Sequence, residues 1–166
     1  MDMSRSRVEK RPYRPGVAGD PADALVQKLS ERFPGAQKHL VFVDDSCSGF
    51  LFEVESPTGD FRRQLQVWSQ DTDGGLGFGE WHEHFEFDPP GVESALSWVD
   101  AVCEDELVLA VAEDYEELVD LRDPDALLLL LTEPWTPAHV QLRSWSGQKD
   151  GPANPNEQKR GEASRV

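Results

Sequence analysis

The stretch FRRQLQVWSQ (residues 61–70), followed by DTDGG (71–75) and LGFGEWHEHFEF (76–87), decides how this chain folds. In its first segment Phe61, Arg63, Leu65, Val67 and Ser69 fall on one side, and Arg62, Gln64, Gln66 and Trp68 on the other. That two-residue period is the signature of a half-buried antiparallel strand. Asp71 to Gly75 is hairpin-turn sequence. The strand that follows carries Gly77 and Gly79, which suggests a bulge or a close backbone approach. At its end the alternation puts His82, His84, Glu86 and Asp88 on one face. Trp81, Glu83, Phe85 and Phe87 take the other, which reads as core.

Outward from this hairpin the pattern alternates between helix and strand. Upstream, Asp20-Pro21 suits a helix start, and Ala22, Leu25, Val26, Leu29 and Phe33 recur at helical spacing until Pro34-Gly35. HLVFVD (39–44) and GFLFEVE (49–55) read as strands, with Cys47 in the turn between them. Downstream, Asp88-Pro-Pro-Gly91 opens a second helix with Val92, Ala95, Leu96, Val99, Val102 and Cys103 inward and Trp98 at the margin. ELVLAVA (106–112) is a strand, Ala126 to Thr132 a short helix or a buried strand, and VQLRSW (140–145) a closing strand. The expected fold is α+β: a mostly antiparallel sheet of five or six strands with two main helices, Asp20–Phe33 and Pro90–Cys103, packed on one face.

Length and charge narrow the classes. A chain of 166 residues suits a single domain, placed here at 17–146 between a basic N-terminal tail (1–16) and a C-terminal tail (147–166), both of disordered composition. The start MDMSRSRVEKRPYRPG has charge but no apolar run of the secretory kind. Two cysteines make no disulfide framework, so a reducing, cytoplasmic setting is expected. The net charge of −16 is unevenly spread: residues 71–133 hold 19 acidic side chains against one base, Arg122. Such a field repels nucleic acid and anionic membrane and attracts basic proteins. The plainer alternative is acidity that serves solubility alone.

Local chemistry offers one metal-like pattern. His82 and His84, two apart on a strand, reach a common side, and Glu86 could complete an open site, with His139 a conceivable third histidine. A polar strand face in a carboxylate-rich chain explains the same residues. His-x-His also occurs in cupins, but the expected glutamate and glycine spacing is missing and a helix begins where the next barrel strand should be. Glycines 74, 75, 77 and 79 lead into an acidic strand rather than a helix N-terminus, which argues against a phosphate loop. Asp44 and Asp45 beside Cys47 disfavour a reactive thiolate. No cofactor is expected.

Size, acidity, element order, the WHEHF strand and the RSWSG ending (143–147) together resemble the small acidic immunity proteins of bacterial polymorphic-toxin systems. The resemblance implies a stoichiometric inhibitor that covers the active site of a basic toxin, often a nuclease. The charge pattern itself selects Glu80, Glu83, Glu86, Asp88, Glu113, Asp114, Glu116 and Glu117 as steering groups, with Trp81 and Trp145 as apolar anchors. A metal-dependent enzyme centred on His82, His84 and Glu86 is the competing reading.

Overall fold

The computed structural model describes residues 9–14, 20–43, 46–70, 73–134, 136–137 and 139–153. Asp44, Asp45, Asp71 and Thr72 of the expected turns, and residues 1–8 and 154–166 of the expected tails, lie outside them. The described backbone is α+β, with two antiparallel sheets and three α-helices. The chain divides into two compact units. One comprises Met1–Glu55, Gln64–Gly77 and His82–Leu96; the other comprises Ser56–Arg63, Phe78–Trp81 and Ser97–Val166.

The first sheet has six strands in sequential order: β1 (Glu9–Pro12), β2 (Gln37–Val43), β3 (Ser46–Val54), β4 (Leu65–Gln70), β5 (Asp73–Phe78) and β6 (Trp81–Glu86). Its register pairs Leu40 with Phe50, Phe52 with Val67 and Val54 with Leu65. These six side chains share a face and are buried. Helix α1 (Asp20–Arg32) packs against β3 with Leu25, Val26 and Leu29 inside, as its 3.6-residue spacing dictates. β1 is EKRP, within the stretch that composition assigns to a tail. It needs no apolar side chains because it is held by backbone pairing to β2, from Glu9↔Phe42 to Pro12↔His39. Cys47 already belongs to β3, opposite Phe42, so the turn expected around it is shorter.

The expected strand over 61–70 begins later. Phe61–Arg63 is a single 3-10 turn and Phe61 is 82% exposed. Asp60 is the cause: its carboxylate accepts the Arg62 N–H at 3.1 Å and its carbonyl accepts the Arg63 N–H at 3.0 Å, which closes a turn before the strand can start.

The second sheet, in the order β10-β9-β7-β8, joins β7 (Leu107–Ala112), β8 (Tyr115–Asp120), β9 (Gln141–Arg143) and β10 (Gly151–Pro152). Its core of Val108, Ala110, Val119 and Val140 is closed by Leu127 of α3 (Ala126–Thr132). That short leucine run is therefore a helix, with Leu127 inside and Leu129 59% exposed. β7 and β8 form a hairpin whose two-residue turn, Glu113-Asp114, holds Glu113 at φ 35°.

Helix α2 (Pro89–Cys103) runs through both units, with Val92, Ala95, Val99, Ala101 and Val102 buried. Asp88 caps it, accepting the Gly91 N–H at 2.8 Å. Its C-terminus closes with Glu106 N–H to the Ala101 carbonyl and Asp105 N–H to the Val102 carbonyl, a Schellman arrangement. Glycine usually fills the left-handed position, but Asp105 stands there at φ 56°. Its carboxylate accepts from the Ser146 backbone N–H at 2.9 Å and from the Ser146 hydroxyl, a role glycine would leave empty.

Candidate partner-binding site

In the six-stranded unit, β5 has glycines where side chains would otherwise stand. A Cβ on Gly75 would fall 2.0 Å from the Trp68 indole, and one on Gly74 2.2 Å from the Phe85 ring. Rings from the neighbouring strands thus lie across β5 on both of its faces. Trp68 meets His84 edge-on, centroids 6.2 Å apart, and His84 meets His82 the same way at 5.8 Å. His82, Glu83, His84 and Glu86 are all exposed. Glu83, expected on the core face with Trp81, Phe85 and Phe87, is solvated because β6 is the edge strand. Phe85 and Phe87 are half-buried, and Phe87 meets Phe50 at 6.1 Å.

The same unit holds a polar cluster outside the expected site. Glu53 is 8% exposed, with the Lys10 ammonium at 3.3 Å, His39 Nε2 at 3.2 Å, Gln66 Nε2 at 3.2 Å and Gln64 Nε2 at 3.4 Å. The alternation of GFLFEVE carried the signal, since it sets Glu53 opposite the Phe50–Phe52–Val54 face. This is a carboxylate satisfied from neighbouring strands, which suits sheet cohesion.

In the second unit the expected steering residues separate into two kinds. Glu80, Glu113, Asp114 and Glu117 are exposed, and among the described residues no ion pair engages them. Glu116 is instead half-buried and committed. One oxygen accepts the backbone N–H groups of Glu80 (2.8 Å) and Trp81 (3.0 Å), and the other lies 3.8 Å from the Arg143 guanidinium. Gly79, at φ 65°, gives the 79–80 turn its approach: a Cβ there would come within 2.7 Å of Glu116 Oε1 and 2.8 Å of Leu109. Arg122, the one base of the acidic stretch, is already matched to Asp120 at 2.6 Å and Glu106 at 3.7 Å.

The anchors are also engaged. Trp81 stacks on Trp98, centroids 5.6 Å apart and planes 13° from parallel, and both are half-buried. Trp145 is half-buried, with its carbonyl accepting the Ser56 hydroxyl at 2.7 Å. Nearby, Arg63 grips Asp150 with two bonds of 2.7 and 2.6 Å, the Ser144 carbonyl at 2.7 Å and Asp60 at 3.3 Å. Hydrogen bonds from Arg62 hold the Asp60 carboxyl down at about 2. Arg63 lowers Asp150 in the same way.

Protein families, curated proteins and solved structures give no match to this chain.

Among the described residues no group of three or more histidine, cysteine, aspartate or glutamate side chains converges on one point. His139 is exposed, and Asp88 is occupied as a helix cap. Among the described residues no helix is long and apolar enough to cross a membrane.

Proposed function

We propose that this chain is a binding module for a basic protein, acting by stoichiometric contact in the manner of an immunity protein on its toxin. The observation that carries the proposal is the set of exposed carboxylates that no ion pair engages among the described residues: Glu83 and Glu86 on the six-stranded unit, and Glu80, Glu113, Asp114 and Glu117 on the other. A fold that needed these acids for its own cohesion would withdraw them from solvent against cations, as it does with Glu53 and Glu116. Left in solvent beside one matched base, they sum to a negative field that speeds encounter with a positive partner.

The test starts with a pull-down from native extract at low and high salt, followed by stopped-flow association with the purified partner. Association should slow steeply between low and physiological salt, where exposed charges are screened over roughly 8–10 Å. The triple change Glu113→Lys, Asp114→Lys and Glu117→Lys should slow association more than it speeds dissociation. A salt-independent association rate would remove the proposal's physical basis.

A further inference from the structure

Among the described residues β8 stands at the edge of its sheet, paired with β7 alone. The phase of that ladder follows from one hydrogen bond. Leu121 donates to the Glu106 carbonyl at 2.7 Å, one step beyond the Leu107↔Asp120 pair. In an antiparallel ladder alternate residues direct both backbone groups at the partner strand. Counting back from Leu121, Val119, Glu117 and Tyr115 face β7, and Asp120, Leu118 and Glu116 turn their N–H and C=O to the open side. The Asp120 carbonyl is taken by the Asp123 N–H at 3.2 Å. The N–H and C=O of Glu116 and Leu118 make no hydrogen bond among the described residues.

Edges of this kind are usually blunted by proline, a bulge or charged side chains, lysine above all. The sequence YEELVD has neither residue, and the register from Leu107↔Asp120 to Ala112↔Tyr115 runs without a shift. What the edge does carry is negative charge: exposed Glu117 within it and exposed Glu113 and Asp114 at its start. A second copy docking antiparallel on the same edge would set these acids against each other, and like charges placed opposite destabilise a strand pair. An extended segment with lysine or arginine meets no such penalty. Resting on the reading of this chain as a binder of basic protein, we infer that β8 is its docking edge and receives an extended, cationic segment of the partner as a fifth strand. Backbone bonds to Glu116 and Leu118 would supply affinity, and Glu113, Asp114 and Glu117 would select for charge.

The experiment uses the full chain and a capped heptapeptide alternating lysine with valine, followed by amide hydrogen exchange. The Glu116 and Leu118 amides should slow at least tenfold on binding, while those of Glu117 and Val119, already bonded to β7, should change little. The same peptide N-methylated at alternate residues keeps its charge but loses its donors; it should give no protection. A glutamate–valine peptide should not bind. Equal binding of the methylated and plain peptides without protection would overturn the inference while leaving charge-driven recognition standing. Absence of protection with every peptide overturns it as well, and a salt-independent partner association rate would take the broader reading with it. Concentration-dependent protection of the two amides without peptide would assign the edge to a second copy and refute the cationic segment.

Discussion

Replacing Arg63 with methionine is the sharpest test of what holds the second unit together. The side chain is 13% exposed and ties Asp60, three residues before it, to the Ser144 carbonyl and both oxygens of Asp150, more than 80 residues on. Methionine keeps the aliphatic stem and removes the fork. Ser144 is fully buried, and its carbonyl keeps the longer bond from the Gly147 N–H at 3.3 Å but loses the charged donor, at about 1–3 kcal/mol. The ion pair adds less, about 0.5–1 kcal/mol, because Asp150 is 36% exposed. The Arg63→Met chain should therefore lose about 1.5–4 kcal/mol. At roughly 2–4 °C per kcal/mol, that lowers Tm by about 3–16 °C. Urea denaturation followed by tryptophan fluorescence measures it, in a cycle with Asp150→Asn. Asp150 Oδ1 also accepts the Ser144 N–H at 2.9 Å, a bond asparagine retains with the one from Arg63 Nη1, so the cycle reads the loss of the charge and of the Nη2 bond. A loss below about 0.5 kcal/mol would refute the reasoning, as would strict additivity of the two changes.

Gly49→Ala should exceed Gly75→Ala in destabilisation, because the added Cβ meets the Ser69 carbonyl at 1.8 Å rather than a movable indole; paired urea melts rank them, and Gly75→Ala should also shift the tryptophan emission. Glu113→Asn should stabilise the fold by about 0.5–1 kcal/mol, since asparagine tolerates the left-handed region better than glutamate; a lower urea midpoint would contradict this. The depressed Asp60 carboxyl stabilises the fold fully above its ordinary value of 3.8, and that contribution fades as pH falls towards about 2. The stability gap between the chain and its Asp60→Asn variant should accordingly shrink across that window, and a constant gap would count against the Arg62 contact.

The helices were legible because their apolar residues recur every three or four positions and proline and glycine mark their ends. Strand β8 was not. Glu116 and Glu117 break the apolar alternation, and the run from Glu113 to Glu117 reads as one solvated patch. Only pairing to the apolar β7 brings out Val119 on the inner face. The reverse error came at Phe61 and Arg63, where alternation continued into a segment that the Asp60 turn pulls out of the sheet. For the candidate site, charge counting found the exposed acids, yet composition treats all carboxylates alike. It gave no means of separating Glu116, which holds the 79–80 turn, or Asp88, which caps a helix, from Glu113 and Asp114 in solvent.

The tip of the β7–β8 hairpin carries a practical warning for protein engineers. Glutamate at a left-handed position is a choice that folding alone would not make, when asparagine or glycine would sit there with less strain. A programme that hardens this chain against heat would reach for that substitution early and record it as an improvement. The same change strips a negative charge from the end of the exposed strand. On the proposed reading, a thermostabilised version would be a weaker bait for a basic partner although its fold was intact.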